Sequence, residues 1–184
     1  MTQNLRDPGA IFYDANELAE HINVRRQYES CMTFLCVGEF DPIHNGHIRF
    51  LRNMSDNAHG NVFPGVNGIT IVGLAGDQFV MKKFGSQLLQ QGERAEILAG
   101  WRYVDYVVIW DDISQNFCGL IERIRPDFFC TGHSADHLND SLEMKICKTV
   151  GSKPLFNIGG QRIHSREKIL NRISNDKNTP YFRF

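Results

Sequence analysis

The sequence predicts an α/β domain, a Rossmann-like doubly wound parallel sheet of about five strands with helices on both faces. Three observations predict it. Short runs that are apolar throughout, rather than alternating, recur along the chain, as strands buried on both faces require. Segments with apolar residues at helical spacing separate those runs. Several of the runs end in glycine, at the edge where parallel sheets gather their ligand-binding loops.

Taken in order, residues 1 to about 13 read as a loose arm containing Asp7-Pro8-Gly9. "DANELAEHINVRRQ" places Leu18, His21 and Ile22 at helical spacing, with Asp14 set to cap. "MTFLCVG" is the first buried strand, and Ile48, Leu51 and Met54 start a helix close to His47. "HGNVFPGVNG", around 59–68, breaks the pattern as a surface loop. "ITIVGLAGD" is the second strand, "GERAEILAGWRYV" a helix, "DYVVIWDD" the third strand and "SQNFCGLIERI" the helix after it. "RPDFFCTG" is the fourth strand, "DSLEMKICKTVG" a helix closed by a glycine cap, "KPLFNIGG" the fifth strand and "SREKILNRI" the last helix. The expected division is an N-terminal arm and helix at 1–30, one domain at 31–174 and a tail at 175–184.

A formal net charge of −1 lacks the basic excess of a nucleic-acid binder, so no nucleic-acid partner is expected. The N-terminus does not read as a signal peptide, and no run approaches the ~18 apolar residues of a membrane helix. Neither a membrane partner nor an exported location is expected, and the cytoplasm is the expected compartment. The five cysteines form no C-x-x-C pair and read as reduced, mostly buried thiols.

The chemistry concentrates in "GEFDPIHNGH", residues 38 to 47, directly after the first strand. Gly38 permits a sharp turn and close approach of a ligand, and Pro42 stiffens the turn. Gly46 precedes His47 near the helix start, where unpaired backbone N–H groups and the dipole favour an anion. His44 and His47 can aim donors at that same place, an arrangement suited to phosphate. The competing readings are two surface histidines in a turn, or zinc, for which no Cys or acidic partner stands at metal spacing.

The G-x-F-D-P-x-H-x-G-H pattern resembles the signature of the nucleotidyltransferase superfamily that includes cytidylyltransferases and the adenylyltransferases of heptose phosphate, pantetheine phosphate and nicotinamide mononucleotide. Similarity extends over roughly residues 14 to 173. "RYVD", Arg102 to Asp105, resembles cytidylyltransferases for glycerol, choline and ethanolamine phosphates. "LIERIRPDFFCTG" and "ELAEHI" resemble the heptose-phosphate adenylyltransferases instead.

The resemblance implies in-line attack by a phosphate oxygen on the α-phosphorus of CTP or ATP, with Mg²⁺ bridging the triphosphate and pyrophosphate leaving. The acceptor is then a phosphorylated small molecule such as a sugar, polyol or alcohol phosphate, and a homodimer is expected. His44, His47, Lys82 and Ser165 become the catalytic candidates. Gly38, Phe40, Asp41, Gly46, Arg102, Asp105, Gly132, His133, Arg162 and Arg166 become nucleotide-binding candidates, and Asp77, Lys83 and Arg94 acceptor-binding ones.

Plainer roles compete for several of these. Asp41 can hold the turn through backbone hydrogen bonds, Phe40 can pack beneath it, and Asp77 can act as a cap. Lys82 and Lys83 can be a solvated pair, Arg94 an ordinary helix arginine, and Arg102 and Asp105 a structural ion pair. His133 and His137 are four apart, with no third metal ligand in view.

Two departures from the family pattern matter. Its hydroxyl-rich helix entry is here "RIHSREKIL", where Ser165 keeps the leading hydroxyl and Arg166 and Glu167 replace the next two. Heptose-type relatives carry Lys-Gly-Gly-Asp where this chain has Thr131, Gly132 and His133. The expected activity is nucleotidyl transfer, leaning to CMP over AMP because "RYVD" is placed nearer the nucleotide. The alternatives are a heptose-type adenylyltransferase and a nucleotide-binding regulatory protein with impaired turnover.

Overall fold

The computed structural model describes residues 9–60, 67–134, 141–160 and 166–175. Along them the chain runs β1 (Ala10–Phe12), α1 (Ala15–Tyr28), β2 (Cys31–Gly38), α2 (Asn45–His59), β3 (Asn67–Ala75) and α3 (Asp77–Phe84). It continues through α4 (Gln91–Ala99), β4 (Tyr106–Trp110), α5 (Cys118–Ile124), β5 (Phe128–Cys130), α6 (Leu142–Val150), β6 (Lys153–Leu155) and α7 (Arg166–Asn175).

The strands form one parallel sheet in the order β1-β4-β3-β2-β5-β6. From β2 the chain winds outward through β3 to β4, then returns to β5 on the other side of β2. The switch in winding direction therefore lies between β2 and β5, and ligands of such sheets bind beyond the carboxyl ends there.

Each strand feeds two cores because side chains alternate between faces. On one face Leu35, Ile71, Val108 and Phe129 pack under Leu18 and Ile22 of α1, Phe79 of α3, Leu120 of α5 and Met144 of α6. On the other, Phe34, Val72, Val107 and Phe128 pack under Leu51 and Met54 of α2 and Leu98 of α4. The doubly wound parallel sheet is thus as the apolar runs predict.

Three elements differ from expectation. Residues 10–12, expected within a loose arm, add an edge strand on β4 and make the sheet six-stranded among the described residues. The helix expected across 92–104 ends at Ala99, where the Gly100 N–H returns to the Glu96 carbonyl and a turn follows. α3 was not expected at all. It is a helix of only eight residues, too short to show a sustained period, and Asp111 caps it by accepting the Phe79 N–H at 2.8 Å. Among the described residues, no helix is long and apolar enough to cross a membrane. The arm before residue 9, most of the loop at 59–68 and the tail beyond 175 lie outside the described residues.

Candidate active site

Beyond the carboxyl ends of β2 and β5 lies a cleft of about 1040 Å³, beside a smaller one of about 230 Å³. Val37, Gly38, Glu39, Phe40, His44, His47, Phe129, Thr131 and His133 line both, so the G-x-F-D-P-x-H-x-G-H turn is their shared wall. The larger cleft is completed by Lys83 and Phe84 of α3, Glu143 of α6, and Arg166, Lys168 and Asn171 of α7. The smaller is completed by Gly46, Arg49 and Phe50 of α2, Gly132, and Gly159.

The two histidines are locked by the helix they open. His44 is the N-cap of α2, and its Nδ1 accepts the Gly46 N–H at 3.1 Å. The His47 Nδ1 reaches back and accepts the His44 N–H at 3.3 Å. This is a reciprocal cap built from imidazoles in place of the usual hydroxyl and carboxylate. With both Nδ1 atoms accepting, both rings carry their proton on Nε2. The rings stack with centroids 3.7 Å apart, and Phe40 braces His47 at 4.8 Å. Gly46 is required by that packing: a Cβ there would lie 2.9 Å from the His44 ring.

Asp41 is buried and ties the turn to its surroundings. Its carboxylate accepts the backbone N–H groups of Leu88 (2.8 Å) and Leu89 (3.1 Å) and the Arg166 guanidinium (2.6 Å). It holds structure, although it also lines the larger cleft.

The remaining candidates separate by position. Lys83 lines the larger cleft and pairs with Glu39 at 2.5 Å, whereas Lys82 turns away and donates to the Ile113 carbonyl at 2.7 Å. Arg94 has 0% of its side chain exposed. Its N–H groups go to the carbonyls of Glu39 and Ala75 (both 2.7 Å) and Leu89 (3.0 Å), and to Asp77 (2.8 Å). Arg94 and Asp77 therefore brace the loops behind the cleft and line neither pocket.

Arg102 and Asp105 stand at the opposite edge of the sheet, before the first residue of β4. The Asp105 carboxylate accepts the Thr70 N–H (2.8 Å) and hydroxyl (2.7 Å), joining β4 to β3. Asp127, in the "RPDFF" segment, does the same for Thr33 of β2, at 2.8 and 2.9 Å. Each aspartate thus staples the amino-terminal entry of a strand, which explains why both segments read as motifs. Ser165, Arg162 and His137 lie outside the described residues.

Glu39, Lys168, Asn171 and Phe50 line the clefts and were not singled out from sequence. Glu39 occupies the first of the three variable positions of the motif. Lys168 and Asn171 are one turn apart on a helix whose phase could have marked them. All five cysteines are free thiols. Burial pushes Cys130, at the smaller cleft, up to about 12, so it offers no thiolate for catalysis. Among the described residues no group of three or more His, Cys, Asp or Glu is placed to hold a metal.

A family model described as cytidylyltransferase-like matches residues 35–173. Bifunctional protein HldE of Campylobacter curvus is 33% identical over 120 residues, covering 64% of this chain and 23% of that one. FAD synthase of Pyrococcus horikoshii is 35% identical over 117 residues, 62% of this chain and 70% of that one. The chain thus spans only 23% of the HldE relative's length. In fold it is similar to a lipopolysaccharide core biosynthesis protein of Thermoplasma volcanium, with a TM-score of 0.50, 17% identity and coverage of 68% of this chain and 93% of that one.

Proposed function

The chain belongs to the cytidylyltransferase-like family of nucleotidyltransferases, and on that premise we propose that it transfers a nucleoside monophosphate from a nucleoside triphosphate to a phosphorylated small molecule. The observation that carries the proposal is the pair of imidazoles fixed at the start of α2, each with Nδ1 engaged by a backbone N–H and its proton on Nε2. They line the cleft at the switch point of the sheet, where the helix dipole already favours an anion.

In the proposed reaction a phosphate oxygen of the acceptor attacks the α-phosphorus in line. The bond from that phosphorus to the bridging oxygen of the β-phosphate breaks, and pyrophosphate leaves. His44 and His47 donate from Nε2 to the α- and β-phosphate oxygens as charge moves onto the leaving group. Lys168 adds positive charge along the larger cleft, where Lys83 stands paired with Glu39. Catalysis is then positioning and charge stabilisation, with no covalent enzyme intermediate. Mg²⁺ enters as the partner of the triphosphate. The ion would be held chiefly by phosphate oxygens and water and would offset the developing charge, and among the described residues no group of three His, Cys, Asp or Glu is placed to hold it instead.

The preference for CMP over AMP rested on "RYVD", and that segment lies at the opposite sheet edge, so it supports neither base. One relative is named FAD synthase, and FAD contains an adenylate. ATP therefore stands beside CTP as the proposed donor. The expected homodimer is retained on the resemblance alone, and sedimentation velocity tests it.

The reaction is tested by pyrophosphate release from CTP or ATP with a panel of phosphate monoesters: glycerol 3-phosphate, choline phosphate, sugar phosphates and flavin mononucleotide. One donor–acceptor pair should turn over, and His47→Ala should slow it about 10²–10³-fold, the loss typical of one transition-state donor. Tight nucleotide binding without release for any acceptor would favour the regulatory reading instead.

A further inference from the structure

Arg166 stands where the resembled family carries a hydroxyl residue, and its guanidinium is spent almost wholly on protein. Nη1 donates to the carbonyl and the carboxylate of Asp41, at 2.7 and 2.6 Å. Nη2 donates to the carbonyl and hydroxyl of Ser86, at 2.9 and 3.2 Å, and the guanidinium lies 4.6 Å from the centre of the Phe84 ring. The Asp41 side chain is 0% exposed and that of Arg166 14%. One carboxylate thereby joins three segments: the histidine turn, the α3–α4 loop through Leu88 and Leu89, and the first residue of α7.

We propose that Arg166 is a positioning residue: through Asp41 and Ser86 it fixes α7 so that Lys168 stands over the triphosphate. The inference rests on the nucleotidyltransferase reading of the cleft. A fork held at two points sets a direction as well as a distance, which an ammonium cannot do. Its charge is answered by a desolvated carboxylate, so it offers little attraction to a phosphate. Lys168, two residues on and lining the larger cleft, carries the charge that Arg166 aims.

The test is a double-mutant cycle on binding of Mg·ATP and Mg·CTP by titration calorimetry, with amide hydrogen exchange on the free proteins. Arg166→Ala and Lys168→Ala should each weaken binding about tenfold, the loss of one charge-assisted contact. The double variant should be no weaker than either single one. Arg166→Lys, which keeps the charge without the fork, should bind about as weakly as Arg166→Ala, and recovery of affinity in it would mark a direct charge contact with the nucleotide. Exchange should quicken in α7 and in residues 86–90 of Arg166→Ala, and stay unchanged in Lys168→Ala.

Additive losses, about a hundredfold in the double variant, with unchanged exchange in α7 would overturn the proposal and make Arg166 a direct ligand of the nucleotide. A wild-type protein that binds neither nucleotide overturns the reading of the cleft, and the positioning role with it. A wild type that binds, with additive variants, overturns the positioning role alone.

Discussion

Gly46 and Arg94 show how single residues set this site from opposite sides. The His44 ring folds over Gly46 closely enough that a methyl group would displace it. Gly46→Ala should therefore uncap α2, costing about 1 kcal/mol, and lower nucleotide affinity as far as His44→Ala does. Calorimetry on both variants checks this, and equal losses are the expected result. Arg94 lines neither cleft, yet three backbone carbonyls and Asp77 depend on it. Arg94→Met should cost about 3–5 kcal/mol, because it leaves the buried Ala75 carbonyl unpaired and takes the partner from three part-buried acceptors. A lower urea midpoint at unchanged slope is the expected reading.

At the scale of elements, the two aspartate–threonine staples explain how the amino edge of the sheet is registered. Burial pushes the Asp127 carboxyl up, but the Thr33 N–H and hydroxyl and the Arg26 guanidinium outweigh it and hold the group below its ordinary value. A carboxyl depressed in the folded state contributes stability that is present above its unfolded value, about 3.9, and lost as pH falls through the folded one. Asp127→Asn should accordingly flatten the acid limb of stability against pH, measured by urea unfolding between pH 6 and 3. At the other edge Arg166, the first residue of α7, bonds Asp41 in the turn before α2, so the helix that carries Lys168 is tied to the turn that carries the histidines.

At the scale of the molecule, the parallel sheet was legible because continuously apolar strands admit few other architectures. The histidine turn was legible because its chemistry is local, within ten residues of sequence. Other placements were not, for physical reasons. Without α3 the phase that turns Lys83 to the cleft and Lys82 away could not be read. Arg94 looked like any helix arginine because its partners come from the loops after β2 and β3 and before α4. Asp105 looked like a ligand residue, whereas its partner is a threonine one strand away, as Thr33 is for Asp127.

The central claim is that the paired histidines at the switch point hold a triphosphate. Thermal unfolding of the wild type and of the His44→Ala/His47→Ala variant, with Mg²⁺ and each of ATP, CTP, GTP and UTP, tests it without knowledge of the acceptor. A nucleotide at 100 times its dissociation constant should stabilise the wild type by about 2.7 kcal/mol, and the double variant should lose that response. A midpoint that no nucleotide moves, or that moves equally in the double variant, would contradict the claim.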